Sequence, residues 1–220
     1  MNGVFITGTD TGVGKTFVAT GIAAYLKHSG VDVGVMKPAE TGCSMRQGRS
    51  IPGDTVKLMK AAGVRDALDL VNPYRFRKPL APSSAAKLAG KEIVPGRILH
   101  AFRILSSKHD FMIVEGAGGI MVPLWHKYTY LDLARTMGLP VIVVTRPSLG
   151  TINHTLLTVA ALREKGLEIA GIVINYAQKR RAGLAENTSP SVIEEMSGVR
   201  ILGIVPYGAR EFDALADRFR

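Results

Sequence analysis

The chain has 220 residues, 46% hydrophobic and 21% charged, a composition typical of a soluble globular protein with one substantial core. Its 28 Lys and Arg against 18 Asp and Glu give a formal net charge of +10, but most basic residues are scattered, which argues against a nucleic-acid partner. No apolar run reaches the roughly 20 residues that cross a bilayer, and the single cysteine excludes an intrachain disulfide, so we expect a cytoplasmic protein without a membrane partner.

Apolar, β-branched runs alternate with helical patterns along the chain. Strands are predicted at residues 4–8, 33–37, 111–115, 141–145, 169–175 and 201–205. Helices are predicted at residues 16–27, 54–62, 83–89, 95–106, 130–137, 152–165, 191–196 and near 211–216. Polar residues 41–53 and 178–190 read as surface loops, the first of them mobile. The pattern predicts one three-layer α/β domain over 1–220, with a mainly parallel sheet and helices on both faces, as in P-loop NTPases.

A glycine-rich segment, GTDTGVGKT at residues 8–16, lies between the first strand and the first helix. In this context backbone N–H groups and the helix N-terminus converge on a phosphate, with Lys15 at the β/γ-phosphates and the Thr16 hydroxyl on Mg²⁺. Five residues separate Gly8 from Gly14 instead of the usual four, so the loop is a variant. The alternative is a tight turn with an exposed lysine.

Lys37 ends the second predicted strand and is followed by Pro38. The carboxyl ends of parallel strands share one edge of the sheet, so this lysine is expected beside the glycine-rich loop. It would act there as a second cation over a transferred phosphoryl group or a substrate carboxylate; otherwise it is a solvated lysine that terminates the strand. Thr41, in the same segment, either binds substrate or caps a turn.

Two carboxylates are candidates to bind Mg²⁺ together with Thr16. Glu115 ends the strand at 111–115 and precedes a turn, Gly-Ala-Gly-Gly, that would expose its carboxylate. This is the place of a Walker-B acid, although glutamate replaces the commoner aspartate. Asp54 begins a helix, so it is either a metal ligand or an N-cap residue.

Two further segments follow strands of the predicted sheet. Asn175 ends the strand at 169–175 and could present its amide to a nucleotide base, or it is a turn asparagine. Residues 150–154, Gly-Thr-Ile-Asn-His, begin a long helix and form a second possible anion site. His154 is assigned no catalytic role.

Taken in order, these segments resemble the dethiobiotin synthetase family of the biotin pathway over nearly the whole chain. The resemblance is carried by GTDTGVGKT at 8–16, KPAETG at 37–42, NPYRF at 72–76 with Pro79 and Pro82, EGAGG at 115–119 and LGTINH at 149–154. That family uses the five-residue spacing found in the first loop. The ordered set is much more specific than any one motif.

The resemblance implies an ATP-dependent cyclo-ligase that joins CO₂ to 7,8-diaminopelargonate. One amine forms a carbamate, ATP phosphorylates it to a mixed anhydride, and the second amine closes the cyclic urea. The family forms homodimers, in which the helix start at 150–153 receives the distant carboxylate of the substrate across the interface.

The resemblance also implies roles for individual residues. Those at the reacting groups are Lys15, Lys37 and Thr11. Those that hold ATP are Gly12, Val13, Gly14, Lys15, Thr16, Asp54, Glu115, Gly116, Ala117, Gly118, Asn175, Val205 and Pro206, of which Thr16, Asp54 and Glu115 hold Mg²⁺. Those that hold the diamine are Thr41, Gly150 and Asn153. Gly12 stands where a glutamate is often found, so one contact to the nucleotide is expected to be absent.

Two other classes use a similar loop. A glutamine-dependent cobyrinate amidase carries an added glutaminase domain with a nucleophilic cysteine, whereas Cys43 is the only cysteine of this chain. Partitioning and septum-placement ATPases, which switch on DNA or membrane, place an extra lysine near the start of the loop, where this chain has Asp10. Both are therefore less favoured than the cyclo-ligase.

Overall fold

A computed structural model describes residues 2–179 and 183–219. Its strands are β1 (Gly3–Gly8), β2 (Val33–Met36), β3 (Ala39–Thr41), β4 (Ser44–Arg46), β5 (Arg49–Ile51), β6 (Tyr74–Phe76), β7 (Phe111–Gly119), β8 (Pro123–Trp125), β9 (Tyr128–Thr129), β10 (Val141–Thr145), β11 (Ile169–Asn175) and β12 (Ile201–Val205). Its α-helices are α1 (Lys15–His28), α2 (Gly53–Ala62), α3 (Leu68–Val71), α4 (Pro82–Leu88), α5 (Pro95–Ser106), α6 (Tyr130–Met137), α7 (Thr151–Glu164), α8 (Leu184–Ser197) and α9 (Asp213–Ala216).

The core is a six-stranded sheet in the order β12-β11-β10-β1-β7-β2, and every neighbouring pair is parallel. Every residue of β1 and β10 is buried, so helices cover both faces of the sheet. This confirms the predicted α/β class. The chain order reverses beside β1, and ligands of such sheets bind outside the carboxyl ends of the strands at that point. No helix among the described residues has the length and apolar character needed to span a bilayer.

Strand β7 runs four residues further than predicted. The prediction ended it at Glu115 and placed a turn at 116–119, but pairing with β1 resumes after a shift in register, with Gly8 opposite Gly119. Glu115 therefore lies within the strand, and its side chain is buried instead of being exposed by a turn.

The predicted loop at 41–53 contains an antiparallel hairpin of β4 and β5. Its two turn residues, Gln47 and Gly48, have φ angles of 48° and 75°. Two successive positive φ angles are characteristic of a type I′ turn, which matches the twist of the flanking strands. The predicted loop therefore contains two strands that the sequence pattern did not indicate.

The second predicted loop, at 178–190, is also partly wrong. Helix α8 begins at Leu184, seven residues before the predicted helix, and includes Pro190. The backbone N–H of Gly183 donates to the Glu186 carboxylate at 3.0 Å, which satisfies a donor at the helix start. The Asn, Thr, Ser and Pro of this stretch suggested a loop, but this cap starts the helix. Residues 180–182 lie outside the described residues.

At the amino-terminal edge of the sheet, His109 joins two segments. Its ring nitrogens lie 2.9 Å from the carboxylates of Asp32 and of Asp66, and Lys108 lies 3.7 Å from Asp66. Burial lowers the pKa of His109, but the hydrogen bonds to both carboxylates outweigh it, so the pKa is raised above its usual value. The charged histidine is thus stabilised by the fold.

We expect the free energy of unfolding to fall as pH rises through the raised pKa of His109. The folded protein binds this proton more tightly than the unfolded chain, whose histidine has a pKa of about 6.5, so the stabilisation is complete below that pH and is lost above the folded-state pKa. Urea unfolding of the wild type and of His109→Gln at pH 6 and pH 9 measures the effect. The variant should lose less stability over this range; equal losses would contradict the role of His109.

Candidate active site

The glycine-rich loop joins β1 to α1 and is shaped by two glycines. Gly12 and Gly14 have φ angles of 75° and 90°, which side-chain-bearing residues rarely adopt. Gly14 precedes the first residue of α1, and a Cβ atom there would collide with the Asn175 amide. The loop conformation therefore depends on glycine, and it directs the N-terminus of α1 toward the carboxyl edge of the sheet.

Lys15 is the first residue of α1 and is 6% exposed. Its Nζ donates to the Asp10 carbonyl oxygen at 3.1 Å, so the side chain folds back over the loop. Burial and, to a lesser extent, the charge of nearby Lys37 lower the pKa of Lys15 to about 8, against the opposing effect of the surrounding carboxylates. An anion bound in the loop would relieve this unfavourable environment.

Lys37, directly after β2, points into the same site. It is buried, and its Nζ donates to the Glu115 carboxylate and, at 3.2 Å, to the Gly116 carbonyl oxygen. Asp54 lies 3.6 Å away and is partly exposed. Burial alone lowers the pKa of Lys37, but the Glu115 and Asp54 carboxylates outweigh it and raise the pKa above its usual value. The lysine is therefore held charged.

Glu115 links Thr16, in α1, to Lys37, which follows β2. Its Oε1 accepts one hydrogen bond from the Thr16 hydroxyl, at 2.8 Å, and another from the Lys37 ammonium group. Its Oε2 is buried without a hydrogen-bond partner among the described residues. A buried carboxylate oxygen is expensive to leave unpaired, so this atom indicates a missing cation or donor.

The residues around Glu115 fit a magnesium ion. Thr16, Asp54 and Glu115 offer only oxygen donors, which Mg²⁺ prefers. No cluster of three or more His, Cys, Asp or Glu suited to a metal occurs within 2–179 and 183–219. These three residues would fill only part of an octahedron, leaving positions for water and phosphate oxygens, as is usual for Mg²⁺ at nucleotide sites.

Two residues that support the site were not predicted. Glu40 accepts from the backbone N–H groups of Asp54 and Thr55, both at 2.9 Å, and from the Thr55 hydroxyl at 2.7 Å. It thereby caps α2, so Asp54 is not the N-cap residue, and Asp54 keeps its carboxylate for the cleft. Buried Asn72 donates to the Lys37 carbonyl oxygen at 2.6 Å and fixes the backbone of that lysine. The sequence contains one hint of this role of Glu40: neither Pro52 nor Gly53, at the start of α2, has a side chain that could cap the helix.

These groups line a cleft of about 720 Å³. Eleven of the predicted residues form part of its wall: Thr11, Gly12, Gly14, Lys15, Thr16, Lys37, Thr41, Asp54, Glu115, Ala117 and Gly118. Val13 and Gly116 are buried and do not line it. A larger groove, of about 1030 Å³, contains none of the predicted residues.

The remaining predicted residues lie outside the cleft. Asn175 is buried beside the loop, where its Nδ2 donates to the Val13 carbonyl oxygen at 2.8 Å while its Oδ1 has no partner among the described residues. Val205 lies opposite Asn175 in the sheet, and Pro206 follows it. Gly150 and Asn153, at the start of α7, are exposed. Apart from the buried Val13 and Gly116, the structure thus places the predicted residues in three groups: the cleft, the outer strand ends and the start of α7.

A family model described as an AAA domain matches residues 2–210. An ATP-dependent dethiobiotin synthetase of Thermodesulfovibrio yellowstonii is 45% identical over 212 residues, which cover 93% of this chain and 88% of that protein. The same enzyme of Bacillus licheniformis is 45% identical, covering 94% and 86%, and that of Methanocaldococcus jannaschii is 42% identical, covering 92% of each.

Solved structures give a more distant likeness. A MinC:MinD cell division complex of Aquifex aeolicus superposes with a TM-score of 0.57 at 16% identity, covering 99% of this chain and 86% of that one. A ParA-family ATPase of Chlorobium tepidum gives 0.55 at 19% identity, covering 93% and 84%. At these identities the likeness shows a common fold and nothing about activity.

Proposed function

Because this chain belongs to the dethiobiotin synthetase family, it is a ligase that forms dethiobiotin with ATP in biotin biosynthesis, and we propose that the cleft around Lys15, Lys37 and Glu115 is where the reaction occurs. The observation that carries this proposal is a buried lysine, Lys37, bound to a carboxylate with an unpartnered oxygen, with a second buried lysine, Lys15, in the same cleft. This concentration of cations suits a reaction between anions.

The proposed substrates are 7,8-diaminopelargonate, CO₂ and ATP. A carbamate oxygen of the diamine attacks the γ-phosphorus of ATP, ADP leaves, and a mixed anhydride forms. The second amine then attacks the carbamate carbon, and the C–O bond to phosphate breaks as the cyclic urea closes. Because the nucleophile is already an anion, the site needs positive charge and orientation more than a general base.

In this scheme Lys15 and the loop amides of Thr11 to Thr16 hold the triphosphate, and Lys37 stabilises the charge that builds up between carbamate and phosphate. Thr16, Asp54 and Glu115 would hold Mg²⁺, which offsets the negative charge of the phosphates when bound. The orphaned Oε2 of Glu115 supports that assignment. Asn175, with its unpartnered Oδ1, Val205 and Pro206 would hold the base, and Thr41 the diamine.

We extend the proposal to a cytoplasmic homodimer in which Gly150 and Asn153 bind the distant carboxylate of a diamine seated in the partner's cleft. Both residues are exposed and neither lines the cleft of its own subunit, which supports this arrangement. Apolar side chains beside them are also exposed, with Leu149 at 89% and Leu157 at 62%, as expected of a surface that a second subunit covers.

We expect ATP consumption to require both the diamine and bicarbonate. Phosphate release is measured with purified protein, ATP and Mg²⁺, omitting each of the two substrates in turn, and dethiobiotin is quantified by mass spectrometry. The complete mixture should give one phosphate for each dethiobiotin, and each omission should reduce release to background. Rapid hydrolysis without the diamine, stimulated by DNA or lipid vesicles, would instead support a switch ATPase.

A further inference from the structure

Four threonine hydroxyls form a connected cluster where β10 ends. The Thr145 Oγ1 lies 3.0 Å from that of Thr9, 2.8 Å from that of Thr151 and 3.1 Å from that of Thr155. Thr145, Thr151 and Thr155 are each at most 1% exposed. Thr9 is partly exposed, so the cluster is buried except at its member in the glycine-rich loop.

Thr145 uses the full bonding capacity of its hydroxyl. A hydroxyl has one donor hydrogen and two acceptor lone pairs, so three partners saturate it. Thr155 donates to Thr145, which leaves one donor and one acceptor for Thr9 and Thr151. Because a buried hydroxyl is costly to leave unpaired, the relative positions of the three partners are strongly constrained.

The partners of Thr145 belong to two different sites. Thr9 is the second residue of the glycine-rich loop, whereas Thr151 is the first residue of α7 and Thr155 lies one turn later. Two neighbouring contacts strengthen the connection on the loop side: the Thr9 N–H donates to the Val144 carbonyl oxygen at 2.9 Å, and the Arg146 guanidinium binds the Asp10 carboxylate. Hydrogen bonds thus hold the glycine-rich loop and the start of α7 against the end of the same strand, β10.

We propose that Thr145 is a positioning residue, which couples nucleotide binding in the glycine-rich loop to binding of the substrate carboxylate at the start of α7. This rests on the proposed function, which assigns to Gly150 and Asn153 the carboxylate of a diamine seated in the partner's cleft, so the coupling runs from the nucleotide of one subunit to the diamine in the cleft of the other. Phosphates bound in the loop hold Thr9 more firmly, and the shared hydroxyl of Thr145 transmits that constraint to the first turn of α7. Since coupling is reciprocal, each ligand tightens the other.

The coupling is measured as the affinity for 7,8-diaminopelargonate, by calorimetry, with and without Mg²⁺ and a non-hydrolysable ATP analogue. In the wild type the analogue should tighten diamine binding at least about 5-fold, the lower end of usual coupling. Thr145→Val, which keeps the shape and removes the hydroxyl, should reduce the tightening, whereas Thr145→Ser should restore it. A matched control is Thr158→Val: this α7 threonine is also buried, but its hydroxyl donates to the His154 carbonyl oxygen of its own helix, at 2.8 Å.

Equal tightening in Thr145→Val and the wild type would overturn the proposal, as would an equal loss in Thr158→Val. Thr151→Val removes one partner of Thr145 from the helix side and gives the same test if Thr145→Val does not fold. A wild type that makes dethiobiotin but shows no tightening would refute the coupling alone. A wild type that makes no dethiobiotin would refute the proposed function on which it rests.

Discussion

Replacing Lys37 by alanine should lower the rate of dethiobiotin formation at least about 100-fold, the usual loss when one preorganised electrostatic group is removed. Lys37 is held charged by Glu115 and Asp54 and stands at the cleft beside Lys15. Without Lys37, one positive charge fewer is available to offset the repulsion between the carbamate and the γ-phosphate. Initial rates at saturating ATP, diamine and bicarbonate measure the effect, which should appear mainly in kcat.

Lys57→Ala is a matched control, because Lys57 also lies near Asp54, at 3.8 Å, but is 69% exposed and absent from the cleft wall. It should retain nearly wild-type turnover. Removing Lys37 leaves Glu115 buried without its cation, which typically costs about 3–5 kcal/mol of stability, so thermal unfolding must accompany the assay. The double variant Lys37→Met/Glu115→Gln avoids that penalty and should be folded and inactive. A folded Lys37→Ala protein with wild-type rates would remove Lys37 from the mechanism.

The double variant Asp54→Asn/Glu115→Gln should lose the gain in ATP affinity that Mg²⁺ provides. Both substitutions nearly preserve shape and remove the negative charge that a divalent cation requires. The Thr16 hydroxyl alone would then remain as a protein ligand beside the phosphates. The loss is expected to be almost complete, because Glu115 is the one fully buried carboxylate that contacts both Thr16 and Lys37 among the described residues.

This prediction is measured by titrating the protein with a non-hydrolysable ATP analogue in Mg²⁺ and again in EDTA. The ratio of the two affinities should be large for the wild type and near one for the double variant. Asp69→Asn serves as a control, since it removes a carboxylate that pairs with Arg75 outside the cleft. If the double variant keeps the wild-type ratio, Asp54 and Glu115 are structural residues only.

The sheet could be predicted from the sequence because strands buried on both faces are continuous apolar runs, as in Val141–Thr145. The convergence of Lys15, Lys37 and Glu115 followed from the same rule, since parallel strands end at one edge. Local amino-acid composition predicted the wrong secondary structure at two places, where a hydrogen bond or the backbone geometry of a turn decided it. The Glu186 cap starts α8 within polar residues, and paired positive φ angles at Gln47 and Gly48 fold the hairpin.

The supporting residues were harder to predict because their partners are distant backbone groups. Glu40 caps α2 from 14 residues away, and Asn72 binds the Lys37 carbonyl oxygen across 35 residues. Neither contact has a periodic pattern in the sequence. In the threonine cluster, the hydrogen bond between Thr9 and Thr145 joins residues 136 positions apart, and it too could not be predicted before the strands were placed next to each other.

The most direct test of the central claim, that the cleft promotes phosphorylation of a carbamate, is to follow oxygen from bicarbonate into phosphate. A carbamate oxygen that attacks ATP remains on phosphorus when the urea closes. In a rapid single turnover with ¹⁸O-labelled bicarbonate, the released phosphate should therefore carry one ¹⁸O atom, as mass spectrometry would detect. Unlabelled phosphate formed together with dethiobiotin would contradict the anhydride, and with it the proposed roles of Lys15 and Lys37.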